Sequence, residues 1–221
     1  MRAYESLPTD NSNISADSYV PIITIYADGS CLRNGMPDSA SGTGAVVIDH
    51  NRRELRLQAI YLGPGTNQQA EIAACTNALR LLQRPCRIEI FSDSRYVIDT
   101  MAGRNRIKSN RSLWDNLIRA CYRHHVTWKW LRGHSGVVFQ EIADRLSRAA
   151  ADLRSGLSED ELEIVSRLVK VDSDETAIGA VEQELRRLAA GYHSQRSVDP
   201  FDEINLNSIQ PEFAFTPPSA F

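Results

Sequence analysis

Three carboxylates occupy positions where a carboxylate is costly or needs a reason. The run Ile22–Ala27 is apolar and ends in Asp28, Gly29 and Ser30, and a second alternation, Cys86–Ser92, ends in Asp93 and Ser94. Both runs read as buried strands that finish in an aspartate. Glu71 is out of place in another way: at helical spacing it shares a face with Cys75, Ala78 and Leu82, so it heads an apolar stripe. An ionised glutamate facing a core is unfavourable unless a positive or hydrogen-bonding group meets it. Ligand sites in open α/β sheets lie at the carboxyl ends of strands, and acids converging there form a hard-cation site with oxygen ligands. Taken singly, ordinary roles account for each: Asp28 and Asp93 as turn or cap residues, Glu71 as a first-turn charge favoured by the helix dipole.

The elements that must position these acids are readable. Thr43–Asp49 and Glu54–Leu62 are strand-like, separated by a polar turn, His50–Arg53. Gly63-Pro64-Gly65 breaks the chain, and Thr66 leads into a helical segment that runs up to Pro85. A short helix over Ser94–Ala102 closes at Gly103, a basic loop (RNRIKSNR) follows, and a further helix spans about Leu113–His124. Val126–Leu131 alternates as a strand, with Trp128 and Trp130 on one face suited to core packing, and Phe139–Leu153 is helical. Three strands followed by helix, strand, helix, helix, strand, helix predict an α/β domain, an antiparallel meander continued by crossover-connected strands.

Charge is distributed unevenly over the 221 residues. Residues 22–152 carry 18 Lys/Arg against 12 Asp/Glu, whereas residues 153–221 carry 6 against 13. A basic domain with an acidic appendage suits a polyanion-binding unit with a separate tail. Cys31, Cys75, Cys86 and Cys121 are scattered, with no C-x-x-C pair, which argues against a zinc site or a disulfide scaffold. The segment Met1–Val20, with Arg2 its one basic residue, fits neither a secretory signal nor a transit peptide, and no run approaches the roughly 18 apolar residues of a membrane span. A cytoplasmic protein that does not enter membranes is expected.

One segment adds specificity. LRGHSGVVFQEIAD, residues 131–144, sets the glycine-flanked His134 just after a strand and Asp144 inside the next helix. With Asp28 in YADGSC, Glu71 in TNQQAE and Asp93 in SDSRYV, the domain resembles a type 1 ribonuclease H over roughly residues 22–152. Spacing alone does not select Asp144, which lies opposite Ile142, Leu146, Ala149 and Leu153 on its helix and reads as a solvated acid. Only the resemblance promotes it.

The resemblance implies a ribonuclease H-like α/β fold, a mixed five-stranded sheet flanked by helices, and endonucleolytic hydrolysis of the RNA strand of RNA–DNA hybrids to 5′-phosphate and 3′-hydroxyl ends. It implies two Mg²⁺ ions, replaceable by Mn²⁺, with Asp28 bridging them, Glu71 and Asp93 completing the leaving-group side, and Asp144 holding the ion that activates water. His134 would shuttle a proton or assist product release. Asn34, Thr66, Asn67 and Gln68 match residues that contact the hybrid, and Gly29, Ser30 and Cys31 match backbone that reads 2′-hydroxyls together with Glu71. Asn110 and Trp114 match residues that bind the DNA strand, while Ser94, Arg95 and Gln140 occupy substrate-reading positions. Arg104, Arg106, Lys108 and Arg111 could add phosphate contacts.

The chain departs from many bacterial members in having Gln140 for an asparagine and Arg95 for a glutamine. The basic handle helix of some members is replaced by a short loop after Gly103, which predicts weaker hybrid binding unless another segment compensates. The resemblance stops near residue 152. Ser158-x-x-Glu161 is a capping box before an amphipathic stretch, and a second stretch runs over about Glu175–Ala190. Residues 153–192 therefore predict an acidic helical hairpin that packs on the domain, self-associates or binds a protein partner. Residues 1–21 are expected to be flexible and residues 193–221 disordered. Two other readings stand beside the enzyme: a non-catalytic hybrid-binding protein, and a nuclease of the wider superfamily with a different substrate.

Overall fold

The computed structural model describes residues 20–196. Among them lie β1 (Ile22–Leu32), β2 (Ala40–Asp49), β3 (Glu54–Gly63), α1 (Asn67–Arg80), β4 (Arg87–Ser92), α2 (Arg95–Met101), α3 (Arg111–Cys121), β5 (His125–Trp130), α4 (Val138–Leu153), α5 (Glu159–Ser166) and α6 (Thr176–Arg196). The strands form one mixed sheet in the order β3-β2-β1-β4-β5. Short turns make the β1-β2 and β2-β3 pairs antiparallel, while the crossovers through α1 and through α2–α3 make β1-β4 and β4-β5 parallel.

The two faces of the sheet have separate cores. Ile23, Ile25 and Ala27 of β1, with Ala45 and Val47 of β2, pack against Ile72, Cys75, Ala78 and Leu79 of α1 and Trp114 and Leu117 of α3. Val46 and Ile48 face the other way, onto Ile142, Leu146 and Ala150 of α4. Covering β2 on both sides explains why its sequence reads as an unbroken small-apolar run rather than an alternation. Beyond residue 153 the chain forms α5 and α6, and Val165, Val181 and Leu185 belong to the same apolar cluster as Leu146 and Leu153 of α4. The extension is thus continuous with one core of the sheet.

One expectation about the elements is corrected. β1 does not end at Asp28. Its parallel pairing with β4 stops at Tyr26↔Phe91, but its antiparallel pairing with β2 continues through Asp28↔Gly44 to Leu32↔Ala40. Asp28 therefore sits in mid-strand, at the point where β1 runs past the end of its other neighbour. Between α2 and α3 the chain is a loop without a handle helix. The expected tail 193–221 begins within α6, and the rest of it, like the expected flexible segment up to residue 19, lies outside the described residues. No described helix is long and apolar enough to cross a membrane.

Candidate active site

Asp28 owes its surroundings to two glycines. A Cβ on Gly29 would stand 2.2 Å from the backbone of Ala70 and Glu71, so only glycine lets α1 lie this close to β1 and bring Glu71 beside the strand. Across the sheet, a Cβ on Gly44 would stand 2.1 Å from the Ala143 carbonyl and 2.5 Å from the Ser147 amide. That second close approach seats α4 directly over β2, where its side chains reach Asp28, the residue paired with Gly44. The Asp-Gly pair is therefore a packing feature of a continuous strand, and the turn reading is set aside.

Two serine hydroxyls tie the acid-bearing elements together. Ser147 of α4, fully buried, donates to Asp28 Oδ2 at 2.5 Å and lies 2.8 Å from the Asp144 carbonyl, so its single O–H serves both. Ser94, which follows Asp93, donates to Glu71 Oε2 at 2.5 Å. Ser94 is also the N-cap of α2, accepting from the Val97 amide at 3.2 Å, so the junction that carries Asp93 is itself fixed. Glu71 is held from its own side by the capping box of α1, in which Thr66 and Gln69 satisfy each other's backbone amides.

Asp28 is coupled electrostatically to the other three acids. Burial pushes the Asp28 carboxyl up to about 7; the Ser147 hydrogen bond opposes this, and repulsion from Asp144, Asp93 and Glu71 adds to it. Glu71 is raised by burial and by Asp93, against the Ser94 bond. Asp93 is raised chiefly by burial, with Asp144 and Glu141 adding and His134 opposing. Oxygen donors that repel one another in a partly buried site suit a small divalent cation, which removes the repulsion that burial magnifies.

Asp144 corrects the spacing argument. Its side chain is only 15% exposed, with Oδ1 accepting from Arg148 Nε at 2.9 Å, so it is not a solvated acid. Periodicity misplaced it because α4 is wedged between the sheet and α6 and buries more than one stripe. His134 occupies the turn after β5 with a positive φ of 52°, its side chain 68% exposed, and its Nδ1 stands 3.7 Å from Glu141 Oε2. Candidate ligand atoms of His134, Glu141 and Asp144 lie within 4.8 Å of one another.

Glu141 and Ser147 went unselected in the sequence. Each had a signal: both are three residues from Asp144, which puts them on its side of a helix, and Ser147 is a polar residue at a core position.

The expected substrate residues divide into two sets. Asn34 Oδ1 accepts from the Asn67 amide at 3.1 Å, and Gln69 Nε2 donates to Asn110 Oδ1 at 3.5 Å, which joins the β1–β2 loop, the start of α1 and the start of α3 into one rim beside Glu71. Thr66, Asn67 and Gln68 lie on this rim, with Gly29, Ser30 and Cys31 in β1 behind it, Cys31 Sγ donating to the Gly65 carbonyl at 3.2 Å. Arg95 is exposed and lies over the ring of Trp130 at 3.9 Å, while Trp130 Nε1 donates to the Asp93 carbonyl at 3.0 Å. Trp130 thus sits at the site rim instead of in the core, unlike Trp128, which packs on the core. Trp114 and Gln140 are buried: Trp114 packs in the α3 core and donates to Tyr96 Oη at 3.4 Å, and Gln140 is 4% exposed at the start of α4.

The RNase H family model matches residues 21–152. Ribonuclease HI of Pasteurella multocida is 34% identical over 143 residues, covering 59% of this chain and 90% of that one. Ribonuclease H of Pseudoalteromonas translucida is 40% identical over 142 residues, covering 58% of this chain and 89% of that one. Among solved structures, LC9-RNase H1, described as a type 1 RNase H with the type 2 active-site motif, is 25% identical with a TM-score of 0.56, over 76% of this chain and 87% of that one. These relatives define a metal-dependent endonuclease of the ribonuclease H-like class. This chain belongs to the ribonuclease H family.

Proposed function

We propose that the domain of residues 22–152 cuts the RNA strand of RNA–DNA hybrids internally, leaving 5′-phosphate and 3′-hydroxyl ends, and that Asp28, Glu71, Asp93 and Asp144 hold two Mg²⁺ ions for which Mn²⁺ can substitute. The observation that carries this reading is the pair of serine ties, Ser147 from Asp28 to the Asp144 backbone and Ser94 from Asp93's junction to Glu71. When bound, the ions supply an activated water, charge neutralisation at the phosphate and a stabilised leaving oxygen.

The chain's own groups do the rest. Ser147 and Ser94 fix one oxygen each of Asp28 and Glu71, and among the described residues the second oxygen of each accepts no hydrogen bond. His134, exposed beside Glu141, carries a proton between the site and solvent. The rim of Asn34, Asn67, Gln68 and Asn110 offers neutral donors and acceptors suited to 2′-hydroxyls and sugar edges. Arg95, with Arg104, Arg106 and Lys108 of the α2–α3 loop and Arg111 at the start of α3, meets phosphates without reading sequence. Four free thiols accord with a reducing cytoplasm as the working compartment. End-group analysis of the products tests the chemistry: 5′-phosphates on every RNA fragment are expected, and 2′,3′-cyclic phosphates would contradict it.

A further inference from the structure

The extension reaches the acid cluster through one guanidinium. Val181 and Leu185, buried against α4, fix the side of α6 that faces the domain, and Glu182 lies beside them. Its Oε2 accepts from Arg145 Nε at 3.4 Å, and its Oε1 accepts from Arg186 Nη2 at 2.5 Å, so the carboxylate is held at two points. Arg145 Nη1 turns the other way, donating to Glu141 Oε2 at 3.0 Å and to the Glu141 carbonyl at 3.1 Å. The same nitrogen stands 3.6 Å from Asp144 Oδ2, outside hydrogen-bond range.

Asp144 is therefore contested. Arg148 already takes Oδ1 at 2.9 Å, and Oδ2 forms an ion pair with Arg145 Nη1 at 3.6 Å but no direct hydrogen bond, Arg145 being shared with a glutamate on either side. Arg145 is 25% exposed and Asp144 15%, so water screens this competition only in part. A cleft between α4 and α6, lined by His134, Asp144, Arg145 and Glu182, places the extension at the edge of the site itself.

We propose that Glu182 is a positioning residue for catalysis: by sharing Arg145 it keeps that guanidinium at ion-pair distance from Asp144, short of a direct hydrogen bond, so that Oδ2 can still take the divalent cation, which makes α6 part of the active centre. The inference rests on the reading of Asp144 as a metal ligand. Without the Glu182 carboxylate, Arg145 keeps Glu141 on one side and has Asp144 as its nearest remaining anion on the other. A cation at Asp144 must then displace a hydrogen-bonded guanidinium, where with Glu182 present it meets only the longer 3.6 Å ion pair. The acidic charge of the extension has, in this account, a local use at one residue.

The test is Mn²⁺ binding to the full chain without nucleic acid, followed by loss of the free-ion electron paramagnetic resonance signal, in the wild type, Asp144→Asn, Glu182→Gln and the double variant Glu182→Gln/Arg145→Met. Partners one shell out from a metal tune affinity by about 10- to 100-fold, and Glu182 is a step further, so Glu182→Gln is expected to weaken Mn²⁺ binding roughly three- to tenfold. The double variant is expected to return to within about twofold of wild type, since removing the guanidinium removes the competitor. Wild-type affinity in Glu182→Gln, alongside weaker binding in Asp144→Asn, overturns the inference while the metal site stands. A loss in Glu182→Gln that Arg145→Met does not recover also overturns it, because that is general loosening of α6. Unchanged binding in Asp144→Asn defeats the metal-ligand reading and this inference with it.

Discussion

Ser147 Oγ lies 2.5 Å from Asp28 Oδ2, and this one bond spans the sheet-to-helix interface on which the site depends. The two residues are 119 positions apart in sequence, and both are buried, so the bond is made only when α4 is seated correctly on β1 and β2. Ser147→Ala removes the donor and leaves Asp28 free to turn. Activity on a hybrid is expected to fall by at least about tenfold, with a higher Mg²⁺ requirement, while the melting temperature shifts little. Steady-state cleavage across a Mg²⁺ titration checks this, and an unchanged Mg²⁺ midpoint counts against it.

The seating of α4 depends on Gly44. A methyl group there meets the Ala143 carbonyl at 2.1 Å and the Ser147 amide at 2.5 Å, both rigid backbone. Gly44→Ala is expected to cost about 1–3 kcal/mol by overpacking and to lower activity more than its stability loss explains, since Asp144 and Ser147 move with the helix. Denaturant unfolding and hybrid cleavage, measured on the same preparation, separate the two effects. A variant with full activity shows that α4 adjusts freely.

The Asp28 carboxyl sets a pH dependence with a definite sign. Its folded-state pKa, about 7, is above its unfolded value, so the folded protein binds the extra proton more tightly. The stabilisation is full below about pH 4 and is lost as pH rises through about 7, an effect of up to a few kcal/mol. In chelator, stability is expected to decline from pH 5 to pH 8, and the decline is expected to flatten in Asp28→Asn. Adding Mg²⁺ above pH 7 should restore stability, because the cation binds the ionised form. Equal pH slopes in wild type and Asp28→Asn contradict the assignment.

Arg95 stacked over Trp130 offers a fixed positive charge next to Asp93. Arg95→Gln is expected to weaken hybrid binding several-fold and to lower the slope of log affinity against log salt by about one. Fluorescence anisotropy over a salt series reads both. A lower affinity with an unchanged slope means that Arg95 acts by packing on Trp130.

Much of this was legible in the sequence, and the failures have physical causes. The element order and the placement of Glu71 on the same face as Cys75 and Ala78 followed from periodicity, since that face of α1 does pack into the core. The ground on which the sequence selects Asp28 is partly wrong. An Asp-Gly pair looks like a turn, whereas here glycine answers to the close approach of α1, a tertiary fact with no local signature. Asp144 and Glu141 escaped the helical pattern because α4 is enclosed by the sheet on one side and α6 on another, which blurs a single apolar stripe. Trp114 and Trp130 exchanged expected places: a tryptophan's composition signal is the same in a core and at a rim, and only the neighbouring elements decide. The amphipathic pattern of the extension showed that it must cover something, without showing that it shares a core with α4.

That shared core gives its own prediction. Val181 is fully buried between α6 and α4, so Val181→Ala is expected to destabilise the whole domain by roughly 2 kcal/mol in a single cooperative transition. A separate early transition for α5–α6, with the sheet unfolding unchanged, marks the extension as an independent unit.

The central claim is that Asp28, Glu71, Asp93 and Asp144 act together to cut RNA paired with DNA. The most direct measurement compares cleavage of an RNA–DNA hybrid, double-stranded RNA and double-stranded DNA of one sequence in Mg²⁺, by the wild type and by Asp28→Asn. Rapid cutting of the RNA strand in the hybrid alone, abolished in Asp28→Asn, is the predicted result. Hybrid binding without cleavage, comparable cutting of DNA, or full activity in Asp28→Asn contradicts it.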